Sequence, residues 1–115
     1  MWTEACLIFP AICARAEGYE VLINTDASGG TSLEAHNAAV RRMEQHGAQS
    51  ITTIQTLLEL QRDWSRKETY NGTIGIVSEY FGAYGMGCDY AFTHLHKQPQ
   101  RAKYPHKVTK KAKAA

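Results

Sequence analysis

Gly18-Tyr19-Glu20-Val21-Leu22-Ile23-Asn24-Thr25-Asp26-Ala27-Ser28-Gly29-Gly30-Thr31-Ser32-Leu33-Glu34 is the stretch from which the fold is read. Residues 19–26 predict a strand, and its centre, Val21, Leu22 and Ile23, is apolar without alternation, the pattern expected where both faces of a parallel sheet are covered. The strand runs into the small-residue loop 27–30, after which Thr31-Ser32-Leu33-Glu34 fits a capping box with Thr31 as N-cap. Ala35, Ala38, Ala39 and Met43 then share one helical face, and Gly47 closes that helix. Residues 49–53, Gln-Ser-Ile-Thr-Thr, form a β-branched segment that predicts a second strand. Strand, helix, strand in this order favours a parallel pair joined by a crossover.

Outward toward the N-terminus lies Met1-Trp2-Thr3-Glu4-Ala5-Cys6-Leu7-Ile8-Phe9-Pro10-Ala11-Ile12-Cys13-Ala14, almost wholly apolar after Cys6. It predicts a helix that starts near Cys6, with Thr3 as N-cap and Gly18 as its stop. Pro10 supports that start, because proline is tolerated only in the first turn. A thiol at a helix N-terminus faces unpaired N–H groups and the positive end of the helix dipole, so its nucleophilic thiolate form is favoured. Cys13, seven residues on, shares a helical face with Cys6 two turns away, too far for a disulfide, and is read as core packing, as is Cys88.

Beyond the second strand the apolar spacing of Ile54, Leu57, Leu58 and Leu60 predicts a helix to about Trp64, with Thr53 as its cap. Tyr70, Ile74, Val77 and Phe81 continue a helical pattern, and so do Tyr84, Cys88, Ala91, Phe92 and Leu95, interrupted by glycines. The chain of 115 residues is 43% hydrophobic, which suits one globular unit over residues 1–98. Residues 99–115 read as a flexible basic tail. Residues 1–96 carry six Lys/Arg against eleven Asp/Glu, whereas residues 97–115 carry seven Lys/Arg and no acid. Such a tail could meet phosphates, but Tyr104 is its one aromatic and no nucleic-acid-binding motif accompanies it.

No apolar run approaches the roughly 20 residues of a membrane span, and no signal peptide is evident. Three cysteines without zinc spacing fit free thiols in the cytoplasm. His94 and His96, if helical, point apart and do not chelate. His36 and His46 lie ten residues apart on one helix, with solvent-facing or capping roles. Asp26 ends a parallel strand, where ligands of open α/β sheets bind.

Trp2-Thr3-Glu4-Ala5-Cys6, Gly18-Tyr19-Glu20-Val21, Thr25-Asp26-Ala27-Ser28-Gly29-Gly30 and Leu58-Glu59-Leu60-Gln61-Arg62-Asp63-Trp64 together resemble the isochorismatase-like cysteine hydrolases, in their YcaC-type branch. The resemblance implies an α/β, Rossmann-like three-layer α/β/α fold with parallel strands, of which this chain would represent the C-terminal half, a partial domain beginning at an internal methionine. It implies Cys6 as the nucleophile, attacking an amide or related carbonyl of a small-molecule substrate to give a thioester-type intermediate. It further implies an oxyanion hole made by the amides of Trp2 and Cys6, next to a cis Met1–Trp2 bond. The family's Asp and Lys partners, and the metal-binding Asp and His of its nicotinamidase branch, belong to strands upstream of the cysteine. No metal and no cofactor is therefore carried over. Most family members work as oligomers, and the resemblance implies that the chain forms a homo-oligomer or pairs with a full-length homologue. A non-catalytic oligomerising subunit is the alternative to a hydrolase. Nucleic-acid binding through the tail ranks last.

Overall fold

The computed structural model describes residues 1–97, so the basic segment 99–115 lies outside the described residues. The chain divides into two compact units, Met1–Leu60 and the part beginning at Gln61.

The first unit opens with a π-helical turn, Thr3–Leu7, which continues as helix α1, Ile8–Ala16. Strand β1 is Leu22–Asn24, followed by a 3-10 turn at Thr25–Ala27. Helix α2 is Leu33–Gln45, strand β2 is Gln49–Ile51, and helix α3 is Thr53–Gln61. Strands β1 and β2 pair in parallel, Leu22 opposite Gln49 and Asn24 opposite Ile51, with α2 between them in sequence. The strand–helix–strand reading therefore holds, and the unit is α/β with parallel strands.

Its details differ from expectation in ways that have physical reasons. The first strand is three residues long rather than eight, because the backbone turns as soon as Thr25 is reached. Ile23 is 1% exposed but Leu22 is 45% exposed, so only one face of this two-stranded sheet is packed. That face meets Ile8, Ala11, Ala39, Met43 and Ala48, while Ala38 on α2 faces outward. Cys13 is exposed rather than core, since α1 buries Ile8 and Ala11 and turns the Cys6/Cys13 side away. Both helices end as read: Gly18 and Gly47 follow them at φ +90° and +88°, a conformation that costs glycine nothing.

The N-cap of α2 is Ser32, whose hydroxyl accepts from Ala35 N–H at 3.1 Å, one residue beyond the expected Thr31. Thr31 is occupied elsewhere, donating its N–H and hydroxyl to Glu4 Oε1 at 2.8 and 2.6 Å.

In the second unit, helix α4 is Lys67–Tyr80 and helix α5 is Gly82–Tyr90, continued by a π-helical turn at Ala91–Leu95. The predicted helix through Trp64 stops at Gln61, where Arg62 takes a φ of +60°. Gln61, 3% exposed, organises the connection: its amide nitrogen donates to the carbonyls of Asp63 and Arg66, and its Oε1 accepts from Thr73. Ile74 and Val77 are buried on α4. Gly85 lets α5 close on it: a Cβ there would lie 2.6 Å from the Val77 carbonyl oxygen.

Candidate functional site

The opening turn departs from the predicted helix start, and Pro10 explains why. In an α-helix the Cys6 carbonyl would accept from the N–H four residues on, which proline lacks, and the ring would crowd that carbonyl. The chain resolves the conflict by beginning at Thr3 with a widened turn, in which Ile8 N–H reaches back to the Thr3 carbonyl. Cys6 consequently sits inside a π-helical turn, with its side chain exposed.

Thr3 is not the N-cap expected of it. Its side chain is 0% exposed and turned inward, so the hydroxyl donates to the Gly29 carbonyl at 3.0 Å and contacts His36 Nδ1 at 2.8 Å. Its backbone N–H donates to the same Gly29 carbonyl at 2.8 Å, and Trp2 forms a parallel bridge with Gly29. The neighbouring Glu4 binds Thr31 as described. Because both hydrogen bonds favour its charged form, Thr31 holds the Glu4 carboxyl below the usual carboxylate range. The turn that carries Cys6 is thus fastened to the loop that leaves the C-terminal end of β1.

The two backbone amides expected to form an oxyanion hole have distinct surroundings. Cys6 N–H donates to the Trp2 carbonyl at 2.9 Å. The Met1–Trp2 bond is trans, against the expected cis form. A non-prolyl cis bond costs about 2.5–4 kcal/mol and needs enforcement by packing. Met1 and Trp2, 78% and 59% exposed, have little packing around them.

Asp26 organises its loop, the role that the family resemblance gives it over that of a catalytic base. Its Oδ1 accepts the N–H and hydroxyl of Thr53, both at 2.8 Å, which fastens the end of β1 to the start of α3 and holds its carboxyl below the ordinary range. Asn24 Oδ1 accepts from Thr56 at 2.6 Å alongside it. His46 caps α2 through the Arg42 carbonyl at 2.8 Å. His94 and His96 lie against the rings of Tyr90 and Phe92. Among the described residues no group of three or more His, Cys, Asp or Glu is arranged to hold a metal ion, and no helix is long and apolar enough to cross a membrane.

Sequence reasoning missed His36, Glu4 and Asn24 as members of this framework. One signal was present: polar residues crowd both partners, Thr3-Glu4 on one side and Ser28 through Ser32 on the other.

These features define an α/β unit in which an exposed thiol sits in the opening turn of a helix, beside the loop that leaves a parallel strand. Residues 1–55 match the isochorismatase domain family, and the sequence and structural matches of this chain are to isochorismatase-like proteins, YcaC among them. It is similar to the probable hydrolase YcaC of Escherichia coli (strain K12), 44% identical over 62 residues that make up 54% of this chain and 30% of that protein. Isochorismatase family protein 2B of Dictyostelium discoideum is 34% identical over 61 residues, 53% of this chain and 28% of that one. The solved structure of YcaC from Pseudomonas aeruginosa with hexane-2,5-diol and covalent acrylamide matches with a TM-score of 0.69 at 33% identity, covering 76% of this chain and 43% of that chain. The chain spans less than a third of the length of the curated relatives it matches.

Proposed function

We propose that this chain carries the nucleophile segment of a cysteine hydrolase acting on amide or related C–N bonds of a small molecule in the cytoplasm. Cys6 attacks the carbonyl carbon, the amine leaves with a proton, and water then hydrolyses the thioester, returning the thiol and releasing the acid. The amides of Trp2 and Cys6 are the proposed donors to the developing oxyanion. For Cys6 N–H this requires sharing or giving up its bond to the Trp2 carbonyl. A base and a cation complete the proposed chemistry in the manner of the family's Asp and Lys. Asp26 is committed to Thr53 and Asp63 to Ser65, so neither is assigned that role.

The observation that carries this reading is the exposed Cys6 in the first turn of a helix whose sequence matches the isochorismatase domain. Acrylamide adds to thiolates, so the covalent acrylamide in the Pseudomonas aeruginosa relative is consistent with a reactive nucleophile in this family. The test is site-resolved acrylamide labelling at neutral pH. Cys13 is the fair reference, being exposed on the same helix. Cys88 is the slow one, because burial first and Asp89 second push its thiol up. Cys6 is expected to label faster than both, and labelling no faster than Cys13 would overturn the reading.

A second reading has its own support. Leu22 is 45%, Phe9 55% and Leu33 71% exposed on a unit whose sheet has two strands, which favours a subunit completed by a second copy or a longer homologue. Light scattering that finds a soluble monomer over a range of concentrations would count against it.

A further inference from the structure

Thr3 is a fully buried polar residue in a segment that is otherwise open. Met1, Trp2, Ala5 and Cys6 are all exposed, yet Thr3 is 0% exposed and makes three hydrogen-bonding contacts with two partners 26 and 33 residues away. A threonine hydroxyl has one proton. If that proton pointed to His36, Oγ1 and the Gly29 carbonyl would face each other at 3.0 Å with no hydrogen between them. Both contacts are satisfied only when the hydroxyl donates to Gly29 and the ring donates to the hydroxyl.

We infer that Thr3 is the positioning residue of the Cys6 turn, held by a relay in which His36 Nδ1–H donates to Thr3 Oγ1 and the Thr3 hydroxyl donates to the Gly29 carbonyl. The inference builds on the proposed role of Cys6, which gives the turn something to position. Thr3 acts through the backbone on both sides of it. The carbonyl before it, on Trp2, accepts the Cys6 N–H, and its own carbonyl accepts from Ile8 across the widened turn. Fixing Thr3 therefore fixes the direction of the Cys6 amide and the register of the turn. Glu4 adds a second fastening to Thr31.

The test uses the 15N-labelled full chain with Thr3→Val, Thr3→Ser and His36→Phe. At alkaline pH the His36 ring is expected to carry its proton on Nδ1 in the parent and in Thr3→Ser, and to lose that preference in Thr3→Val. Exchange of the Cys6 amide is expected to speed up about tenfold in Thr3→Val, while Thr3→Ser restores it. The Glu17 amide, bonded to the Cys13 carbonyl in the same helix, is the reference and should not move. A merely structural role would change both amides together and would leave the ring tautomer unspecified. Should Thr3→Val fail to fold, His36→Phe carries the test, since it removes the ring donor and leaves Thr3 on Gly29. Faster Cys6 exchange with Glu17 unchanged then supports the relay. A parent ring protonated on Nε2, or a Cys6 amide that ignores the substitution, would overturn it. If Cys6 instead labels no faster than Cys13 in the parent, the hydrolase reading falls, while the relay is still decided by the ring nitrogens and the amide.

Discussion

In residues 1–60 the side-chain hydrogen bonds that organise the chain span long stretches of sequence: Thr3 to Gly29 across 26 residues, Thr3 to His36 across 33, Glu4 to Thr31 across 27, Asp26 to Thr53 across 27 and Thr56 to Asn24 across 32. Among the described residues from Gln61 onward, Gln61 and Thr73 bond to near neighbours: Gln61 to Asp63 across two, Gln61 to Arg66 across five, Thr73 to Thr69 across four, and Thr73 to Gln61 across twelve. The contrast follows from architecture. Parallel strands joined through a helix cannot be set by a hairpin turn, so loops far apart in sequence must be fastened to one another by polar side chains. Successive helices find each other through local packing. The fastened part is also the part that matches the isochorismatase domain, and it holds Cys6.

The largest expected effect tests whether each region depends on its own apolar centre. Met43 and Val77 are both 0% exposed, one on α2 and one on α4. Met43→Ala is expected to cost about 2–5 kcal/mol, and Val77→Ala, which removes less, somewhat under that. Hydrogen exchange should show protection lost chiefly at Ile23 and its neighbours in the first case and on α4 and α5 in the second. Uniform loss in both variants would erase the distinction between the regions.

A smaller effect sharpens it at the point where α5 meets α4. Gly85→Ala places a methyl group 2.6 Å from the Val77 carbonyl oxygen and 3.0 Å from Ser78 Cα, both backbone atoms that no rotamer change can move. A destabilisation of about 1–3 kcal/mol is expected despite alanine's better helix propensity. A denaturation midpoint unchanged or raised would show that α5 is free to back away.

How much of this was legible in the sequence divides along the same line. Helices and the two strands follow from periodicity and end signals, which are local, so Gly18, Gly47 and the spacing of Ile74 and Val77 were read correctly. Two of the failures are residues whose partners lie far away. Thr31 looks like an N-cap because Glu34 stands three residues on, but Glu4, which recruits Thr31 and leaves the cap to Ser32, is 27 residues back. Thr3 looks like a cap by position, whereas Gly29 and His36 draw its hydroxyl inward. Cys13 looks apolar by company, yet the buried stripe of α1 passes through Ile8 and Ala11 instead. The framework around the opening turn was not legible, since it is made of such long-range polar pairs.

The smallest expected effect concerns acid, where the two regions should differ in kind. Glu4 and Asp26 are held below the ordinary carboxylate range by hydroxyl and amide donors from Thr31 and Thr53, and Asp63 is held low by the amide and side chain of its near neighbour Ser65. A carboxyl with a depressed folded pKa stabilises the fold above its unfolded value, and that contribution is lost as pH falls through the folded value. Residues 1–60 should therefore loosen as pH drops below roughly 4, because protonation weakens bonds that fasten separate loops. At Asp63 the same protonation disturbs one turn. Glu4→Gln with Asp26→Asn should lower the urea midpoint at neutral pH and flatten its decline toward pH of about 3, while Asp63→Asn should change neither the midpoint nor its slope by as much. Asp26 and Asp63 are exposed, so added salt should shrink the part of the difference that Asp26 contributes, while Glu4, whose Oε2 is buried, is screened less. If the double variant keeps the parent's acid dependence, then Glu4 and Asp26 fasten the loops through geometry, and their charge contributes nothing to the contrast.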